Sequence, residues 1–132
     1  MSVVVDTSVW SLVLRRGTPT SDPQVQKLTS ILRQGQPVAL LGVVLQEILQ
    51  GIRDPSNFER VKQHLDAFPL LNLERQDYVL AAELGNLCRS RGVQASTVDF
   101  QIAAACIQNG FGLLTCDQDF RHIAEYSPLQ IL

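Results

Sequence analysis

Apolar positions along the chain alternate between short continuous runs and stretches with helical spacing. Val3-Val4-Val5 is a β-branched run ending at Asp6, and Thr7 and Ser8 are placed to cap a helix over Val9-Trp10-Ser11-Leu12-Val13-Leu14. After the turn Arg16-Gly17-Thr18-Pro19, Ser21 or Asp22 caps a helix starting at Pro23. Val25, Leu28, Ile31 and Leu32 mark its inner face, and Gly35 ends it. Pro37-Val38-Ala39-Leu40-Leu41 has the length and composition of a second strand. Gly42 then leads into Val44, Leu45, Ile48, Leu49 and Ile52 at helical spacing, with Glu47 on the same helix.

Asp54-Pro55-Ser56 opens a further helix carrying Phe58, Val61, Leu65 and Phe68, which Pro69 closes before the short run Leu70-Leu71-Asn72-Leu73. A long helix is predicted from about Glu74 to Arg91, facing inward through Val79, Ala82, Leu84, Leu87 and Cys88. Beyond the polar loop Gln94-Ala95-Ser96-Thr97, Asp99 falls just inside a helix capped by Thr97 or Ser96. That helix turns Ile102, Ala103, Cys106 and Ile107 inward and ends at Asn109-Gly110. Phe111-Gly112-Leu113-Leu114-Thr115 is a fourth strand, ahead of Asp117 and a short helix, and Leu129-Gln130-Ile131-Leu132 is a last one.

Continuous apolar strands alternating with helices predict an α/β fold, with a central parallel sheet of four to five strands and helices on both faces. No linker, internal repeat or low-complexity stretch divides the chain. Its 132 residues match the size of one core, so a single domain over residues 1–132 is expected. Hydrophobic residues make up 45% and charged residues 18%, as in ordinary globular proteins. No apolar run approaches the roughly 18 residues of a bilayer span, and the start lacks the basic and long apolar regions of a signal peptide. A cytoplasmic protein with no membrane partner is the expectation. Cys88, Cys106 and Cys116 form no C-x-x-C pair and are odd in number, so they read as buried small apolar residues rather than disulfide or zinc ligands.

The polar residues narrow the function. In an open parallel sheet a ligand site lies outside the carboxyl ends of the strands. Asp6 follows the first strand, Asp117 follows the fourth, and Glu47 lies on the first turns of the helix after the second. Asp99 opens the helix that precedes the fourth strand. Topology alone places three of these at one edge, whereas Asp99 needs its loop to return there. Taken singly, each has a plainer role as a cap, a turn residue or a solvated helix position. Together they are harder to dismiss, because clustered carboxylates with no lysine beside them raise one another's pKa and a hard divalent cation removes the conflict. Mg2+, or Mn2+ in its place, would bind phosphate oxygens and activate water for in-line attack. Ser8, two residues after Asp6, could hold a water or a phosphate.

The formal charge of −2 looks unsuited to nucleic acid until five acids, Asp6, Glu47, Asp99, Asp117 and Asp119, are assigned to a metal. Eleven basic residues then face eight acids, and nine of the eleven are arginine, which suits bidentate phosphate contacts. Arg15, Arg16, Arg53, Arg89 and Arg91 are candidates for such contacts, though each also reads as a plain surface residue. Other chemistries lack their parts. His64 and His122 have no zinc or nucleophile spacing, and no Walker or G-x-G-x-x-G motif occurs. Lys27 and Lys62 fall inside helices, not at strand ends where phosphoryl-transfer folds need a lysine.

Val3-Val4-Val5-Asp6-Thr7-Ser8, Gln46-Glu47-Ile48-Leu49-Gln50-Gly51, Asp99-Phe100-Gln101-Ile102-Ala103-Ala104-Ala105 and Leu114-Thr115-Cys116-Asp117-Gln118-Asp119-Phe120 occur in an order and spacing that resemble the PIN-domain ribonucleases. More closely, the chain resembles the VapC toxins of bacterial toxin–antitoxin pairs, over nearly its whole length. The resemblance implies an acidic quartet of Asp6, Glu47, Asp99 and Asp117 that holds the metal, with Asp119 an auxiliary ligand or water-orienting group. Thr7, Ser8 and Thr115 match the family's small hydroxyl positions. It also implies endoribonuclease activity leaving 5′-phosphate and 3′-hydroxyl ends, inhibition of translation, a homodimer, and a cognate VapB-like antitoxin whose tail enters the active groove. Two competing readings remain: a catalytically silent PIN-like module that binds RNA or protein through the same groove, and a DNA-directed nuclease built from the same carboxylates.

Overall fold

A computed structural model describes residues 1–15, 17 and 19–132. Arg16, one of the phosphate-contact candidates, and Thr18 in the same turn lie outside the described residues. The elements follow in the order β1 (Val3–Val5), α1 (Thr7–Leu14), α2 (Pro23–Arg33), β2 (Val38–Leu41), α3 (Gly42–Gln50) and α4 (Pro55–Leu65). Then come β3 (Leu70–Leu71), α5 (Arg75–Ser90), α6 (Thr97–Asn109), β4 (Gly112–Leu114), α7 (Gln118–Glu125) and β5 (Gln130–Ile131). The five strands form one sheet in the order β3-β2-β1-β4-β5, and every pairing is parallel.

β1 lies at the centre, in register with Val38 of β2 on one side and Gly112 of β4 on the other through Val3. Val3, Val4 and Val5 are completely buried, as expected of a strand covered on both faces. The order reverses between β1 and β4, which makes that junction the topological switch point where an α/β sheet opens a crevice. Asp6 N donates to Leu114 O at 3.0 Å, so both strands end together at this crevice.

α5 and α6 form an antiparallel hairpin. Gln108 Nε2 near the end of α6 reaches Gln76 O near the start of α5 at 3.4 Å, and Phe100 packs against Gly85 further along. The buried stripe of α5 is Asp77, Ala81, Leu84, Gly85 and Cys88. This corrects the face read from sequence: Leu84 and Cys88 turn inward, but Val79, Ala82 and Leu87 are exposed. The small residues Ala81 and Gly85 let α6 approach closely, and a β-carbon on Gly85 would lie 3.4 Å from the Phe100 ring. α6 is the most enclosed helix here, with Ile102 to Cys106 buried in unbroken succession.

Other local expectations were met or adjusted. Asp22 caps α2 through Gln24 N and Val25 N, while Leu32 of that helix is exposed. Gly110 ends α6 in the left-handed conformation, at φ 67°. Asp6, not Thr7 or Ser8, stands at the N-cap of α1, and its carboxylate is turned away from capping. Cys88 and Cys106 are buried, whereas Cys116 is exposed because it follows the end of β4 in the loop that carries Asp117. Among the described residues, no helix is long and apolar enough to cross a membrane.

Candidate metal centre

The site begins with Asp6, only 5% exposed at the end of the central strand. A carboxylate buried this deeply needs donors. Its Oδ2 accepts Ser8 Oγ at 2.7 Å and Thr115 Oγ1 at 2.9 Å, joining the start of α1 to the end of β4. Each hydroxyl also accepts a backbone amide: Cys116 N reaches Ser8 Oγ at 3.3 Å, and Asp117 N reaches Thr115 Oγ1 at 3.0 Å. The loop bearing Asp117 is thereby tied to Asp6. Asp117 caps α7 by accepting Asp119 N on Oδ1 at 2.9 Å, which turns Asp119 onto the first turn beside it.

Asp99 reaches the same edge through the helix hairpin, since α6 starts at the end of the hairpin opposite the Gln108–Gln76 contact. It is fixed there by a reciprocal cap: Asp99 N donates to Ser96 Oγ and Ser96 N to Asp99 Oδ2, both at 3.1 Å. The loop return required of Asp99 is therefore present. Ligand oxygens of Asp99, Asp117 and Asp119 lie within 4.8 Å of one another, each residue half-buried. Burial raises the Asp99 carboxyl above its ordinary pKa. The Ser96 bonds oppose this, and the charges of Asp117 and Asp6 push it further up. Burial first, and then the charge of Asp6, pushes the nearby Cys106 thiol up to about 12.

Glu47 is exposed on α3, and its Oε1 accepts Thr7 Oγ1 at 3.0 Å, so the start of α1 orients it. The structure thus draws Asp99, Asp117 and Asp119 into one cluster; Asp6, bonded to Ser8 and Thr115, and Glu47, bonded to Thr7, stand outside that group. Asp119, expected to be auxiliary, belongs to the tightest group of acids. Only oxygen donors are present, and no lysine or arginine pairs with these acids among the described residues. Such a hard, uncompensated donor set fits Mg2+ or Mn2+ better than a thiolate-seeking metal.

Of the arginines singled out, Arg15 lines a cleft beside Glu47, Arg53 is exposed, and Arg89 bonds Asn86 Oδ1 at 3.4 Å. Arg91 lies 5.9 Å over the Tyr126 ring. Arg60, not among those candidates, has its guanidinium bonded to Leu14 O at 3.3 Å and lines a cleft with Arg15. His64 is exposed, and His122 faces Glu125 across 3.8 Å at the surface.

The chain is a parallel α/β protein with carboxylates gathered at the end of its sheet, and comparison assigns the family. Residues 3–126 match the PIN domain, and the chain belongs to that family. No curated protein matches the chain by sequence. Among solved structures, VapBC2 from Rickettsia felis, bound to a DNA fragment from its promoter, superposes with a TM-score of 0.82 at 18% identity. The match covers 100% of this chain and 98% of that one. FitAcB from Neisseria gonorrhoeae gives 0.79 at 18% identity over 98% and 96% of the two chains. The Mycobacterium tuberculosis toxin VapC20, which cleaves the sarcin–ricin loop, gives 0.66 at 18% identity over 90% and 92%. These likenesses establish the fold.

Proposed function

We propose that the chain is a single PIN-like domain acting as a Mg2+- or Mn2+-dependent endoribonuclease, the toxin of a VapBC-type toxin–antitoxin pair that inhibits translation. The observation that carries this reading is the meeting of Asp99, Asp117 and Asp119 within 4.8 Å at the edge where Asp6 is held. Membership of the PIN family and the fold shared with VapBC structures support the same direction. By the same likeness the partners are RNA, a VapB-like antitoxin and a second copy of the chain, in the cytoplasm.

In this reading Asp99, Asp117 and Asp119 hold the ion, with Asp6 directly or through water. When bound, the ion offsets the charge of a phosphodiester and makes water a better nucleophile. Thr7 holds Glu47 with its carboxylate in solvent, where it can accept the proton of the attacking water. The water oxygen bonds to phosphorus, the bond from phosphorus to the 3′ oxygen breaks, and that oxygen leaves as a hydroxyl after taking a proton from solvent. Ser8 and Thr115 keep Asp6 in place, so that a buried charge need not reorganise during the step.

Incubating an RNA pool with the protein and Mg2+ or Mn2+ tests the proposal. Wild type should cleave, and Asp6→Asn, Asp99→Asn and Asp117→Asn should lose activity by about 100-fold or more, the scale of removing a preorganised electrostatic group. Equal cleavage by all four proteins would remove the metal site. Cleavage of DNA with none of RNA would make the enzyme a deoxyribonuclease.

A further inference from the structure

A cleft of about 340 Å³ opens between α1, α3 and α4, with Ser11, Glu47, Gly51 and Asn57 among its walls, and Glu47, held by the Thr7 that follows Asp6, is the acid that it shares with the proposed site. A second, of about 410 Å³, continues it past Asp54 and Arg60. The two share Leu14, Arg15 and Asn57, so they make one groove with Glu47 at one end and two arginines at the other. Thr7, which holds Glu47, and Arg15 are eight residues apart, about 12 Å along a helix at roughly 1.5 Å per residue.

The Arg60 guanidinium is preset. Nε and Nη2 both donate to Asn57 Oδ1, at 3.0 and 2.7 Å, and Nη2 also donates to Leu14 O at 3.3 Å. Every one of these acceptors is neutral. Asp54, the acid at the arginine end of this groove, accepts Asn57 N on Oδ2 at 2.9 Å, and among the described residues no carboxylate, Glu47 included, lies within ion-pair distance of Arg60 or Arg15. Arg60 therefore keeps its full charge and its Nη1 donors for a ligand, and exposed Arg15 stands on the same groove.

We infer that Arg15 and Arg60 form a phosphate subsite that holds a single RNA strand on one side of the scissile bond, with Asn57 as the positioning residue for Arg60. This inference rests on the nuclease reading of the acidic edge. An RNA strand suits both ends of the groove: its scissile phosphate goes to the acids with their metal, and a neighbouring phosphate goes to the guanidinium fork. An acidic peptide suits only the arginine end, because Glu47 would repel it at the other.

The test compares wild type, Arg15→Ala, Asn57→Ala, Arg60→Lys and the double variant Arg15→Ala/Arg60→Ala, with Arg33→Ala on α2 as an arginine outside the groove. For cleavage of a single-stranded RNA, KM should rise about tenfold in the double variant while kcat stays within about twofold. Arg60→Lys, which keeps the charge but loses the fork, and Asn57→Ala, which frees it, should each raise KM by a smaller factor. In an Asp99→Asn background that binds without cutting, the slope of log affinity against log salt should shrink by about 0.7 for each phosphate no longer neutralised. Arg15→Ala removes only an exposed side chain, so its slope can be read even if the double variant folds poorly. Unchanged KM and slope in Arg15→Ala and Asn57→Ala, while wild type still cleaves RNA, would overturn the subsite alone. Failure of wild type to bind or cleave RNA would overturn the nuclease reading and the subsite with it. Intact RNA cleavage with lost inhibition by an antitoxin peptide would give the groove to protein and overturn the assignment.

Discussion

Replacing Thr115 by valine removes one hydroxyl and almost no volume, so its effect isolates the bonds that hold Asp6. Thr115 is 1% exposed. Its Oγ1 donates to Asp6 Oδ2 at 2.9 Å and accepts Asp117 N at 3.0 Å. The first is a bond to a carboxylate, of the kind that contributes about 1.5–3 kcal/mol, and the second strands an amide worth about 1 kcal/mol. The expected loss is about 2–4 kcal/mol, a large share of the roughly 5–15 kcal/mol of an ordinary domain. At a urea m-value of about 1.5 kcal/mol/M, the midpoint should fall by about 1.3–2.7 M with m unchanged. Ser8→Ala is the matched comparison. Ser8 makes the shorter bond to the same oxygen, 2.7 Å, but it is half-buried, so water can replace the hydroxyl and the loss should be nearer 1 kcal/mol. A Thr115→Val loss below about 0.5 kcal/mol, or one no larger than that of Ser8→Ala, would refute the account of how Asp6 is stabilised.

Two further expectations concern the acids and the thiols. In metal-free buffer, the raised Asp99 pKa means that the folded state binds protons more readily than the unfolded state. Stability should therefore fall as pH rises from the ordinary carboxylate range through the raised value, and the cost is fully present above it. Asp99→Asn should flatten that pH profile in urea unfolding, and it should also abolish the stabilisation by Mg2+ or Mn2+ that the proposed site predicts for wild type, about 2.7 kcal/mol at 100 times Kd. A variant that keeps both the slope and the metal response would contradict the cluster. In thiol titration of the native protein, Cys116 should react quickly while Cys88 and Cys106 stay protected, Cys106 doubly so with its pKa near 12. More than one fast thiol would show that α5 or α6 is not packed as described.

What could be read from sequence divides along a physical line. Strands covered on both faces announce themselves as unbroken apolar runs, so Val3-Val4-Val5 and Gly112-Leu113-Leu114 were legible, and with them the edge where Asp6 and Asp117 emerge. Helix ends were legible where one residue carries the signal, as Asp22, Asp54 and Gly110 do. Leu84 and Cys88 on the inner face of α5 were read correctly, but Ala81 and Gly85 were missed because hydropathy gives small residues little weight, and their small size is what lets α6 close in. The same packing brings Asp99 to the other acids, so the return of its loop could not be read from its own neighbourhood.

The hydroxyls explain how such a cluster persists in a folded chain. Carboxylates brought together by a sheet edge repel one another, and Asp6 is also buried. Asp6 is stabilised by Ser8 and by Thr115, the latter 109 positions away along the chain, both donating to its Oδ2. Asp99 is held by Ser96 N, and Asp117 by Asp119 N. Each of these acids thus gives one oxygen to a fixed protein donor. Their charges are held close by the fold itself, so a cation arriving there would meet ligands already in position, and the repulsion it relieves would add to its binding.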